Sequence, residues 1–149
     1  TIVKDPIYIL KQELIRLPLY GRFLKKMGMI AIDRSGGAKT LKQLIRGFKD
    51  SVKLNRPFIL FPEGTRTNIG QSIDYQIGIA AIYDLKILPI IPTALNSGLF
   101  WPKSSIKQKG KSIIKFLPAI ENGLAREEFM KQLQNNIENE SNRLCGLSQ

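Results

Sequence analysis

Residues 29–61 read MIAIDRSGGAKTLKQLIRGFKDSVKLNRPFILF. The stretch opens on the apolar run Met29 to Ile32, passes through Ala38 to Leu54, and returns to a second apolar run, Pro57 to Phe61. In the middle segment Leu41, Leu44, Ile45, Phe48 and Val52 recur at helical spacing, while Lys39, Lys42, Arg46, Lys49 and Lys53 fall on the opposite face. A strand, a basic amphipathic helix and a second strand are the expected result. Working outward, Ile7 to Leu10 follows Pro6 as another short strand, and Pro18 to Met27 reads as a short helix with Pro in its first turn and Gly28 at its end. Downstream, Ile77 to Leu85 is a helix, and Ile87 to Leu95 is a buried-looking run whose Pro89 and Pro92 mark an edge or a strand end. Ser112 to Leu117 is one more strand, and Glu127 to Leu144 is a helix with Met130, Leu133, Ile137 and Leu144 on one face. Apolar strands alternating with helices predict an α/β fold: a single domain over residues 1–149 with a largely parallel sheet flanked by helices and right-handed crossovers.

The chain has 149 residues, 43% of them hydrophobic and 23% charged, which suits one packed core. Its net charge is +11, with +9 in residues 1–60, +4 in residues 61–120 and −2 in the remainder. An anionic partner is implied: nucleic acid, an acidic membrane surface or a phosphorylated substrate. The absence of histidine excludes a Ser-His-Asp triad, a Cys-His pair and a His-bearing zinc site within the chain. Cys145 is the only cysteine, so no intrachain disulfide forms, and a reducing compartment is the natural setting. No apolar run approaches the roughly 18 residues of a membrane-spanning helix. The chain opens at Thr1 without an initiator Met or a signal-peptide pattern, as a fragment of a longer product would.

Open α/β sheets bind ligands beyond the carboxyl ends of their strands, which directs attention to two loops. One reads Phe61-Pro62-Glu63-Gly64-Thr65-Arg66-Thr67: a rigid Pro, a carboxylate, a Gly that admits close backbone approach, and an Arg between two hydroxyls. The other ends its strand with Asp33-Arg34-Ser35 before Gly36 and Gly37. If the two strands are neighbours, Arg34 and Arg66 converge, and two guanidinium forks hold one dianion in a fixed orientation better than ammonium groups do.

These residues carry a family resemblance. Phe61 to Arg66 resembles the Phe-Pro-Glu-Gly-Thr-Arg block of the glycerolipid acyltransferases of the PlsC type, and Gly28 to Arg34 is similar to the preceding block that ends in Arg. Ile87 to Leu95, continued by Asn96-Ser97-Gly98-Leu99-Phe100-Trp101, resembles the fourth block in its bacterial form. The resemblance implies acylation of the sn-2 hydroxyl of lysophosphatidate to phosphatidate, with acyl-CoA or acyl carrier protein as donor and no cofactor or metal. It implies a peripheral enzyme on an anionic membrane surface, at the cytoplasmic face, in phospholipid biosynthesis. Arg34 and Arg66 would bind the acceptor phosphate, Glu63 and Gly64 would shape its pocket, and Thr65 would add a hydroxyl. The family's first block, a His, four residues and an Asp, would lie upstream of Thr1 and supply the general base. Asp33 and Glu63 are poor substitutes, since a free carboxylate is a weak base toward an alcohol. The chain alone is therefore expected to bind acceptor and be nearly inactive. A noncatalytic lipid-phosphate-binding remnant is the alternative.

A nucleic-acid-binding domain is the third reading, and the chain lacks its signatures: no helix-turn-helix pattern, no zinc spacing, no aromatic RNA-binding motif. The basic face of Lys39 to Lys53 is either solvated or set against lipid headgroups or an acidic carrier. Leu14, Leu17, Leu19, Phe23 and Leu24, interleaved with Arg16, Arg22, Lys25 and Lys26, read first as core and second as an interfacial patch. Phe100 and Trp101 pose the same choice, and Lys103, Lys107, Lys109 and Lys111 decorate a basic loop.

Overall fold

The short apolar run after Pro6 becomes the middle strand of a parallel sheet. In a computed structural model describing residues 3–33, 36–102 and 106–147, β1 (Ile7–Lys11) pairs with β2 (Ile30–Ile32) on one side and β3 (Phe58–Ile59) on the other. Ile9 stands opposite Ile30, and Ile7 opposite Phe58. The order β2-β1-β3 corrects the expectation that β2 and β3 are neighbours, because β1 lies between them. Both still end on the same edge of the sheet. The chain divides into two compact units, residues 1–61 and 62–149.

In the first unit, β1 runs directly into α1 (Gln12–Arg16), and α2 (Tyr20–Lys26) completes the crossover to β2. The sequence reading missed α1 and began the next helix at Pro18. The structure begins it at Tyr20, because Leu19 takes φ +61°, outside the helical region, and forms an elbow. Gly21 keeps the elbow tight: a Cβ there would run into the backbone carbonyl of Ile15. Gly28, at φ +73°, ends α2 as expected, with its N–H donating to Lys25 O and that of Met29 to Leu24 O. α3 (Ala38–Lys53) connects β2 to β3 and buries Leu44, Gly47, Phe48 and Ser51. Phe48 meets Phe58 edge to face with ring centroids 5.5 Å apart. Asn55, at φ +51°, terminates α3 by the same pattern that Gly28 uses, the N–H of Arg56 closing on Ser51 O. Arg56 then donates to the Asp5 carboxylate at 2.9 Å and to Met27 O at 3.0 Å, joining three segments of this unit.

In the second unit, α4 (Gly78–Tyr83) and α5 (Arg126–Leu144) accompany an antiparallel pair, β4 (Thr93–Leu95) and β5 (Ile114–Phe116). The parallel arrangement is therefore confined to β1, β2 and β3. Ile87 to Leu95 is not a buried strand: Ile87, Leu88 and Ile91 are exposed, and only its last three residues pair as β4. Pro89 and Pro92 cannot donate to a ladder, which leaves one isolated bridge from Ile90 to Ile120 before β4. Asn96 starts β5 by accepting the N–H of Ile113 at 2.6 Å and donating to Lys111 O at 3.3 Å. On α5 Leu133 is buried as expected, beside Phe129, which stacks on Tyr83 with centroids 3.8 Å apart. The Tyr83 hydroxyl donates to Glu121 O and accepts from the N–H of Leu124. Cys145 is the C-cap of α5, and burial raises its thiol pKa.

Glu140 on α5 is held by Arg143 at 2.5 Å and by Lys115 of β5 at 3.0 Å. Their hydrogen bonds lower its carboxyl pKa from 4.5 to about 2. A carboxyl depressed in the folded state stabilises it above the unfolded pKa and loses that contribution as pH falls through the folded one. The stability difference between the wild type and Glu140→Gln should therefore shrink from about pH 4.5 down to about pH 2, as measured by urea unfolding at stepped pH. Gly21→Ala should lower stability by about 1–3 kcal/mol, read from the same midpoints, because backbone has to shift to admit the methyl group.

Candidate acceptor-phosphate site

The sheet order β2-β1-β3 reverses direction at β1, the arrangement whose carboxyl edge offers ligands a place to bind. β2 stops at Ile32, immediately before Asp33. The Asp33 carbonyl accepts from the Thr40 hydroxyl and from the N–H of Gly36, the latter at 3.1 Å. Arg34 lies outside the described residues. β3 stops at Ile59, and Leu60 and Phe61 lead into Pro62, where the second unit begins.

Pro62 and Glu63 form a turn at the start of that unit, the chain bends through Gly64 and Thr65, and Arg66 follows. The Pro62 carbonyl accepts the N–H of Gln76 at 2.8 Å, which fixes the base of the turn. Gly64 adopts φ +68°, and a Cβ there would stand 3.0 Å from the Gln76 side chain, so both conformation and space call for glycine. Glu63 is half-buried and accepts the Thr67 hydroxyl at 2.7 Å. Thr65 and Arg66 are exposed. Among the described residues no ion pair joins Glu63 to Arg66, and the Arg66 guanidinium makes no hydrogen bond. The turn thus presents a cation whose nearest acid in sequence is engaged elsewhere, an arrangement suited to a phosphate from solution.

Beneath the turn lies a residue that the sequence reading did not single out. Tyr75 is only 7% exposed, and its hydroxyl has no hydrogen-bond partner among the described residues. Burial, then the charges of Glu138 and Glu63, raise its pKa well above the ordinary tyrosine value. Glu138 accepts from Ser72 at 2.8 Å and from Gln134 at 2.9 Å, so a polar network fixes the loop after the turn to α5. A tyrosine in an aperiodic polar loop gives no burial signal in sequence, and Gln76 is equally silent there.

The other basic and aromatic features resolve more plainly. The charged face of α3 is exposed, with Arg46 and Lys53 beside Asp50 at 3.9 and 3.7 Å. Trp101 is exposed and carries the Lys107 ammonium 3.9 Å above its ring. Lys103 lies outside the described residues.

The sequence profile of the family described as Acyltransferase matches residues 2–96. The chain belongs to the acyltransferase family. This acyltransferase chain is 38% identical over 96 residues to a Pseudomonas aeruginosa protein named 1-acyl-sn-glycerol-3-phosphate acyltransferase, with 64% of the chain and 37% of the relative covered. It is 31% identical over 138 residues to a Helicobacter pylori protein of the same name, covering 89% of the chain and 57% of that relative. It therefore spans between about a third and three-fifths of those proteins. The crystal structure of the Thermotoga maritima 1-acyl-sn-glycerophosphate acyltransferase PlsC superposes with a TM-score of 0.75 at 20% identity, covering 94% of this chain and 57% of that one. That likeness supports the α/β fold.

An unpartnered buried hydroxyl costs stability that a phenyl ring does not. Tyr75→Phe should thus raise the stability of the ligand-free acyltransferase chain by about 1–2 kcal/mol in urea unfolding, and a loss would show that the hydroxyl has a partner in solution.

Proposed function

We propose that the chain is the acceptor-binding part of a 1-acylglycerol-3-phosphate O-acyltransferase, in which Arg66 holds the phosphate of lysophosphatidate. The observation that carries this reading is the exposed Arg66 guanidinium, unpaired among the described residues, beside a turn whose own carboxylate is occupied by Thr67. The names of the relatives support the reaction: acyl transfer to the sn-2 hydroxyl, giving phosphatidate for phospholipid synthesis. Gly64 lets backbone approach the glycerol phosphate, Thr65 adds an exposed hydroxyl, and Glu63, held by Thr67, shapes the pocket wall. The donor is a thioester on coenzyme A or acyl carrier protein, attacked directly by the glycerol hydroxyl without an acyl-enzyme intermediate and with no cofactor.

The proton of that hydroxyl needs a base, and the chain contains no imidazole. A positioned base contributes roughly 100- to 10,000-fold in rate, so this chain by itself binds acceptor and turns it over close to background. The setting is the cytoplasmic face of a membrane, reached peripherally; among the described residues no helix is long and apolar enough to cross a bilayer.

Arg66→Ala should weaken binding of a short-chain, soluble lysophosphatidate by about 1.5–3 kcal/mol in titration calorimetry, the size of a hydrogen bond to a charged group. Arg66→Lys should recover only part of the loss, since an ammonium lacks the planar fork. Unchanged binding in both variants would remove Arg66 from the site.

A further inference from the structure

The elbow between α1 and α2 presents two features at once. Leu17, Leu19, Tyr20, Phe23 and Met27 are all exposed, Leu19 by 80% and Phe23 by 58%. Tyr20, Phe23 and Met27 fall at i, i+3 and i+7, one stripe of α2, while Gly21 and Leu24 face the core. Of Leu14, Leu17, Leu19, Phe23 and Leu24, read first as core and second as an interfacial patch, Leu24 is core, whereas Leu17, Leu19 and Phe23 are exposed. At the elbow itself Arg16, Arg22 and Lys25 converge with Leu17 and Leu19 on a shallow depression of about 340 Å³. None of these three cations meets a carboxylate among the described residues.

Leu19 adds a third observation. Its φ of +61° is a conformation that a branched side chain adopts at a cost, and such strain persists where the surroundings impose it for a purpose. Here it holds a leucine outward into water. An apolar surface bordered by unpaired cations matches the interface of an anionic bilayer, where headgroups meet acyl chains. A second copy of the chain fits poorly, since a symmetric contact would set these three cations against three more.

We propose that the α1–α2 elbow is the bilayer-docking element of this chain: Arg16, Arg22 and Lys25 engage anionic headgroups while Leu17, Leu19 and Phe23 enter the acyl boundary. The proposal rests on the reading that the chain acts on a lipid substrate, and it names the surface by which it reaches the membrane.

The test uses flotation with vesicles of about three parts phosphatidylcholine to one part phosphatidylglycerol, beside vesicles of phosphatidylcholine alone. The wild type should float with the anionic vesicles and release as salt is raised. Leu19→Gly should separate docking from folding: glycine accepts the positive φ, so its melting temperature should rise while vesicle affinity falls by about tenfold. Phe23→Ser should lower affinity comparably with an unchanged circular dichroism spectrum. A Tyr20→Trp reporter in a Trp101→Phe background should shift its emission to the blue on adding anionic vesicles. Vesicle binding unaltered by Leu19→Gly and Phe23→Ser, or an unshifted reporter, overturns the proposal. So does self-association of the wild type in gel filtration that Phe23→Ser abolishes. Calorimetry with soluble lysophosphatidate is run on the same proteins: binding retained without docking rejects the elbow alone, whereas docking retained without binding upholds the elbow and rejects the substrate reading.

Discussion

A five-residue strand paired in parallel on both edges governs the first unit. Parallel neighbours cannot be reached by a tight turn, so each pairing of β1 demands a crossover: α1 and α2 lead to one side, α3 to the other. Because β2 and β3 both run with β1, the segments after Ile32 and Ile59 emerge at one edge. The elbow follows from this constraint as well, since a short crossover from β1 to β2 has to fold two helices closely, and Gly21 admits Ile15 where any side chain would intrude.

The site in the second unit depends on how acids and bases are distributed. In an ordinary surface turn an arginine and a glutamate three residues apart pair with each other and contribute little. Here Thr67 occupies Glu63, Gln76 backs Gly64, and Ser72, Gln134 and Glu138 fix the following loop, so the guanidinium has no partner among the described residues. Tyr75 sits beneath this arrangement as a neutral phenol whose ionisation burial and two carboxylates oppose. The polar network holds the turn and leaves the cation exposed.

Periodicity made α3 and α5 legible in sequence, since each is long enough to repeat its apolar face several times. Gly28 marked the end of α2 because its chemistry at a helix terminus is local. α1 escaped notice because five residues span barely more than one turn, which leaves no period to count. Ile87 to Leu95 read as buried because hydrophobicity is visible in sequence while pairing is not, and two prolines reduce the run to three paired residues. Glu63 to Arg66 could be quoted as a block, but the Thr67 hydrogen bond and the unpartnered Tyr75 hydroxyl depend on contacts made in the folded loop. The apolar residues around Leu19 divided between core and solvent, Leu24 on the buried face of α2 and Tyr20 and Phe23 on its exposed face, while Leu19 turns outward at a positive φ.

Asn96 has a consequence for how the chain could change length. Its side chain closes on Lys111 and Ile113, and the Phe100 carbonyl accepts the N–H of Gln108 at 2.9 Å, so the antiparallel pair is joined below the tip of its connection. Added residues beyond that closure would leave both junctions untouched, and the entropy of a longer loop rises only by about 0.6 kcal/mol for each doubling. An insertion between Phe100 and Gln108 would thus lengthen the connection while the Asn96 hydrogen bonds and the β4–β5 pairing stay in place.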